Sequence, residues 1–198
     1  MESQALPPKP TELQIMLASG SPRRRELLAM IAPEFSVVHT RDIEEKHPDD
    51  MAADEVPAYL SRLKADAYDD LVKPGEVVIT ADTVVIHDNK ILGKPADEAE
   101  ARAMLRDLSG CQHHVVTGVT LRTATQTVTF SETTVVHFAE LTDTEIAEYI
   151  MRFSPLDKAG AYGIQEWIGA IGITSITGDF YNVMGLPLHR LYKALTEL

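Results

Sequence analysis

Apolar and polar positions switch between two periods along this chain, and the switches outline its elements. Residues 14–18, QIMLA, form a short apolar run that stops at Ser19-Gly20-Ser21-Pro22. The pattern predicts a strand and then a helix over about 22–30, with Ser21 as N-cap and Pro22 at the first helical position. FSVVH (35–39) reads as a second strand, and the polar, acidic residues 42–53 read as a loop. Over 54–72 the apolar positions Val56, Leu60, Leu63, Ala67 and Leu71 follow a helical period, which Pro74-Gly75 breaks. VVITADTVVI (77–86) is a β-branched run of the kind that fills buried strands, and after a turn at 87–90 Ile91-Leu92 starts a return strand. Residues 97–108 are helical, with Ala101, Leu105 and Leu108 on one face and Gly110 past the end.

Two longer strands follow, around 114–123 and 127–139. Thr142 and Glu145 then form a capping box ahead of Ile146, Tyr149, Ile150 and Phe153 at helical spacing. Residues 154–166 read as a loop rich in glycine and charge, and IGAIGITSI (168–176) as strand-like. Pro187 opens a last helix with Leu188, Leu191 and Leu195 inward. Strands and helices alternate early and a hairpin pair intrudes in the middle, so the class is α/β with a mixed sheet. Residues 1–12, polar and proline-rich, are expected to be a disordered tail, and residues 13–198 a single domain.

Charge narrows the function. The 18 lysines and arginines against 30 acids leave a net charge of −12, a field that repels nucleic acid and anionic lipid. A small anionic substrate is compatible only if the few cations converge on one place. The single cysteine, Cys111, forms no internal disulfide and fits no zinc spacing. There is no apolar signal segment and no run long enough to span a bilayer. A cytoplasmic protein with no nucleic-acid or membrane partner is the expectation.

Five segments could carry chemistry. LASGSPRRRELL (17–28) joins a strand end, a small-residue turn and a helix N-terminus to arginines. Unpaired N–H groups there suit a phosphate, and Arg23 and Arg24 in a first turn are unfavourable unless an anion neutralises them; the plain alternative is a solvated basic turn. It is not a P-loop, because the G-x-x-x-x-G-K-[ST] spacing is absent. In ITADTVVI (79–86), Asp82 interrupts an apolar run and must be paired, protonated or metal-bound. It is either a general base or ion ligand, or a strand-end cap. Thr83 should face the opposite side of that strand. ILGKP (91–95) holds Lys94 on a short turn suited to phosphate, a weak signal alone. LDKAGAYGIQ (156–165) offers Gln165 to a base edge or is a surface loop; ITGDFYNVMGLPL (176–188) reads mainly as packing. Glu44-Glu45 is a solvated pair or a metal carboxylate, and Lys64 snorkels or points into a cleft. The histidines show no metal-ligand spacing.

Together these segments resemble the Maf family of nucleoside triphosphate pyrophosphatases over about residues 14–196. LASGSPRRRELL, ADTVV, GKP, DKAGAYGIQ and GDFYNVMGLPL stand in the family's order. The resemblance implies a two-lobed α/β unit, with a mixed, elongated sheet flanked by helices and a cleft between lobes, similar to inosine triphosphate pyrophosphatases. It implies hydrolysis of a nucleoside triphosphate to the monophosphate and pyrophosphate, assisted by a divalent cation (Mg²⁺ or Mn²⁺), and leaves room for a homodimer. Asp82 matches the family's proton acceptor. Arg23, Thr83 and Gln165 match positions that separate the dTTP/UTP subgroup from the 7-methyl-GTP subgroup, which tends to carry Trp, Gln and Glu there. Ser19, Arg24, Lys64 and Lys94 match phosphate contacts, and Glu45, with Asp82, an acidic position near the metal. The chain departs from the family after Gln165, where Glu166-Trp167-Ile168-Gly169 replaces a G-x-G stretch, and over 57–67, which matches loosely. Two rival readings remain: a house-cleaning pyrophosphatase for modified or non-canonical nucleotides, and a non-enzymatic, nucleotide-binding regulator of cell division.

Overall fold

The computed structural model describes residues 9–198. In chain order the elements are β1 (Gln14–Leu17), α1 (Pro22–Ile31), β2 (Phe35–Val37), α2 (Val56–Asp66), β3 (Glu76–His87), β4 (Lys90–Leu92) and α3 (Glu98–Leu108). Then come β5 (Gln112–Arg122), β6 (Thr127–Phe138), α4 (Asp143–Phe153), two 3₁₀ turns (Pro155–Asp157 and Ala159–Ala161), α5 (Trp167–Gly172), β7 (Ile173–Thr177), α6 (Phe180–Met184) and α7 (Leu188–Thr196). Of the expected tail, residues 1–8 lie outside the described residues. In residues 9–12, Pro10 is buried and Lys9 pairs with Glu34 at 2.6 Å.

One mixed sheet of seven strands runs in the order β2-β1-β3-β5-β6-β7, with β4 also on β3. β1 pairs in parallel with β2 and β3, and the remaining pairs are antiparallel. This is the mixed α/β sheet that the alternation of elements predicts. β1 pairs with β3 only over Glu76–Ile79, and β4 only over Val85–His87, on the edge of β3 away from β5. Between them the edge of β3 is left without a strand partner, and this gap in the sheet becomes the cleft.

The same gap divides the core. Successive side chains on a strand face opposite sides. On one face of β3, Val77, Ile79 and Ala81 belong to a core built with α1 and α7, around Leu27, Leu28 and Leu191. Val85, on that same face, belongs to a second core built with α3 and α4, around Leu105, Ile146 and Tyr149. Thr83 lies between the two. On the opposite face Asp82 separates Val78, packed near Tyr68, from Val84 and Ile86. Polar residues at 82 and 83 therefore mark the seam between two lobes that share their central strands.

Two elements differ from their expected form. The helix over 54–72 stops at Asp66, where the Tyr68 hydroxyl turns to donate to the His39 carbonyl at 2.7 Å. The strand expected over 168–176 is α5 followed by β7. A short apolar run does not distinguish helix from strand by period. A Cβ at Gly169 would lie 1.9 Å from the Ile164 carbonyl oxygen, so the first half is coiled tightly against the preceding loop.

Candidate active site

The Ser19-Gly20-Ser21 turn works as its residue types suggest. Ser21 caps α1, its Oγ accepting from the Arg24 amide at 3.5 Å, and Pro22 holds the first turn. Buried Ser19 accepts the Ser21 amide at 3.2 Å, which shapes the turn. The two first-turn arginines then part company. Arg24 turns into the seam. It donates to the Gly185 carbonyl at 2.8 Å, the Ala81 carbonyl at 2.8 Å and Thr83 Oγ1 at 3.0 Å. The Ala81 carbonyl belongs to the stretch of β3 between its β1 and β4 pairings, so a guanidinium takes the place of a neighbouring strand. Burial pulls this guanidinium down from its ordinary pKa, against the upward pull of nearby Asp82. Arg23 remains on the rim and, among the described residues, forms a single ion pair, with Asp157 at 2.8 Å.

α2 supplies the opposite wall. It can lie directly on the sheet because Gly118, the register partner of Asp82, has no side chain: a Cβ there would meet the Pro57 carbonyl carbon at 2.2 Å. The Ser61 hydroxyl shares a hydrogen bond with Thr120 Oγ1 at 2.9 Å, and the Thr80 hydroxyl donates to the Ser61 carbonyl at 2.6 Å. Further along the helix Lys64 reaches Asp82 at 2.6 Å and Glu45 at 2.8 Å, one ammonium between two carboxylates. Asp82 is 14 % exposed and paired, which is how an acid is tolerated in this strand. The loop that carries Glu45 is anchored by Tyr68, which accepts the Arg41 amide at 3.1 Å.

Asp82 and Thr83 point to opposite sides of β3, as expected, yet both border one cavity of about 670 Å³, because the cavity opens at the bare edge of the strand. Ser19, Arg23, Arg24, Glu45, Lys64 and Lys94 also line it, as does Gln165. The nine residues that the resemblance singles out thus line one cleft, with different commitments, whereas Glu44 lies outside it and pairs with Lys46. Lys94 and Gln165 are exposed to it. The Thr83 hydroxyl is engaged by Arg24 and by Thr117 at 2.9 Å, so it reaches the cleft mainly through the arginine.

Sequence reasoning passed over Asp157 and Lys158, which it took for parts of a surface loop. Burial pushes the Asp157 carboxyl up, but hydrogen bonds from Lys158 and Arg23 outweigh that and hold it down to about 2. Lys158 is only 9 % exposed, between Asp157 at 2.8 Å and Glu166 at 3.1 Å. The available signal was the pairing of Asp-Lys with a later glutamate across two glycines, and only tertiary packing turns it into an ion chain. Cys111 is half-buried and lies outside this cleft. Among the described residues no group of three or more histidine, cysteine or acid side chains is arranged to hold a metal ion, and no helix is long and apolar enough to cross a membrane.

A family model for Maf-like proteins matches residues 14–198. The dTTP/UTP pyrophosphatase of Bacteroides thetaiotaomicron is 50% identical over 185 residues, 93% of this chain and 96% of that protein. The protein of the same name from Porphyromonas gingivalis is 50% identical over 186 residues, 93% of this chain and 94% of its own. Among solved structures, a HAM1 protein from Coxiella burnetii aligns with 94% of this chain and 100% of its own at 17% identity and a TM-score of 0.47.

Proposed function

The chain belongs to the family of Maf-like proteins, and on that premise we propose that it hydrolyses nucleoside triphosphates, dTTP and UTP foremost, to the monophosphate and pyrophosphate. Relatives at half identity that carry the name dTTP/UTP pyrophosphatase support the reaction. One observation about this chain carries it furthest. In a protein of net charge −12, Arg23, Arg24, Lys64 and Lys94 border the same cavity as Asp82. Such a cluster stabilises a polyanion and the charge that develops on a leaving pyrophosphate.

Water is the nucleophile and attacks between the α and β phosphates. Asp82 orients it and accepts its proton. Substrate phosphates draw Lys64 away from its two acids, which frees the Asp82 carboxylate for this work. Arg23 and Lys94 hold the phosphate chain, with the α1 N-terminus and the Ser19 turn behind them. Gln165, exposed to the cleft, hydrogen-bonds the amide edge of the pyrimidine. Arg24 holds the two lobes at a fixed separation and keeps two N–H groups in reserve for phosphate.

A divalent cation fits beside Asp82 and Glu45, since that corner already holds one positive charge between two carboxylates. These two acids would hold Mg²⁺ or Mn²⁺ with phosphate oxygens completing its shell; when bound, it neutralises phosphate charge and acidifies water.

The test is turnover of dTTP, UTP, CTP and purine triphosphates, including modified bases, with Mg²⁺ or Mn²⁺ and with excess EDTA. The expected result is pyrophosphate release, fastest from dTTP and UTP and absent in EDTA. Fastest turnover of a modified purine would replace this reading with the house-cleaning one. Nucleotide binding with no product over hours would favour the regulator.

A further inference from the structure

The segment that departs from the family's pattern, Glu166 onward, is tied into a chain of groups that runs from the buried Tyr149 out to Arg23, and of these the reaction above uses only Arg23. Tyr149 of α4 is fully buried and stacks on Phe153. Its hydroxyl donates to Glu166 Oε2 and accepts the Gly163 amide at 3.0 Å. The other oxygen of Glu166 takes Lys158 at 3.1 Å, and Lys158 in turn reaches Asp157 at 2.8 Å. Asp157 closes the series on Arg23. Charges alternate along this path, which is why a lysine and a glutamate with 9% and 17% side-chain exposure can be kept there.

What the chain grips is a tight turn. The Glu166 amide donates to the Gly163 carbonyl at 3.0 Å, and Gln165 stands at the third position of that turn, exposed to the cleft. The fit is close: a Cβ on Gly163 would lie 2.8 Å from the Glu166 carboxyl carbon and 3.0 Å from Gln165 Nε2. The groups behind the turn therefore set where the Gln165 side chain leaves the backbone.

We propose that Tyr149, Glu166 and Lys158 are positioning residues for nucleobase selectivity, a latch that fixes the Gly163–Gln165–Glu166 turn and so aims Gln165 at the base. This rests on the pyrophosphatase reading. A misaimed amide loses its hydrogen bonds to the correct base and also its power to reject the wrong one. The phosphate end is untouched, because the resting pairs of Arg23 with Asp157 and of Lys64 with Asp82 and Glu45 involve neither Tyr149 nor Gly163.

Tyr149→Phe tests this, since it removes one oxygen and keeps the ring. Gly163→Ala disturbs the same turn from the other side, its Cβ pressing on the Glu166 carboxyl and the Gln165 amide while leaving every charged group and the Tyr149 hydroxyl in place. The readouts are kcat and KM for UTP and for GTP, and inhibition by inorganic tripolyphosphate, which has no base. For both variants the UTP-over-GTP ratio of kcat/KM should fall about tenfold, mainly through KM, with the tripolyphosphate inhibition constant within about twofold of wild type. If Tyr149→Phe does not unfold cooperatively, Gly163→Ala decides. An unchanged ratio in a cooperatively folded variant overturns the latch, as does a parallel loss of tripolyphosphate binding. Wild-type protein that turns over no triphosphate overturns the underlying reading instead, a result separate from both.

Discussion

Two corners of the cleft hold cations in opposite ways. Where α1 meets α6, Arg24 is bound by two backbone carbonyls and a threonine, partners that cannot leave. Where α2 meets the loop at 39–45, Lys64 is bound by two side-chain carboxylates, Asp82 and Glu45. Arg23, next to Arg24 in sequence, is of the second kind, held by one half-exposed acid. A cation fixed by carbonyls belongs to the architecture. A cation held by acids can exchange them for phosphate oxygens of like charge at little cost. The difference separates the part of the cleft that keeps its shape from the part that works.

The largest effect should come from the exchangeable corner. Asp82→Asn keeps the shape and a hydrogen-bonding partner for Lys64 but removes the proton acceptor. Turnover should fall on the order of 10²–10⁴, with thermal unfolding nearly unchanged. Near-normal turnover in a folded variant would take Asp82 out of the chemistry.

The two neighbouring arginines sharpen the contrast, because the same substitution should fail in two ways. Arg23→Met removes a charge-assisted contact worth about 1.5–3 kcal/mol to a phosphate, so kcat/KM should drop roughly 10- to 100-fold while stability hardly moves. Arg24→Met leaves the carbonyls of buried Ala81 and Gly185 without their donor. At about 1–3 kcal/mol for each unsatisfied group, the fold should lose about 2–6 kcal/mol, seen as a lower denaturant midpoint. Equal stability losses in the two variants would erase the distinction between the corners.

That distinction was not legible in the sequence. Ser21-Pro22 announced a helix start, and Asp82 announced itself by breaking an apolar run, because both signals are local. Arg23 and Arg24 share one local context, and what separates them is which distant chain each meets: Asp157 for one, Gly185 and Ala81 for the other. The gap between β1 and β4 is a fact of strand pairing, which no window of sequence contains. Lys158 looked like a loop lysine because its two acids lie on either side of a fold-back that only packing creates. The run at 168–176 was ambiguous in itself, and a backbone contact at Gly169 decided it.

The smallest effect concerns a polar group bound, like Arg24, to partners that stay. His113 is buried beneath the Tyr162 loop, its Nε2 2.7 Å from the Tyr162 hydroxyl and its ring edge-on to Phe138. Its Nδ1 has no hydrogen-bond partner among the described residues. Burial first, and then the neighbouring His87, His114 and His137, hold its pKa down to about 3. The unfolded chain takes up a proton here near pH 6.5 that the folded chain refuses. Its contribution to stability is therefore complete above that pH and is lost as the pH falls toward 3, by at most about 1.4 kcal/mol per pH unit. Asp157 acts with the same sign but in a lower window, from its ordinary 3.8 down to about 2. Between pH 6.5 and 4.5 the two separate cleanly. Over that range the stability of His113→Gln, measured by urea unfolding, should fall less steeply than that of wild type, by close to one proton. Parallel slopes would mean that the folded protein lets this histidine take up its proton, and that the interior under the loop exchanges its partners as readily as the cleft does.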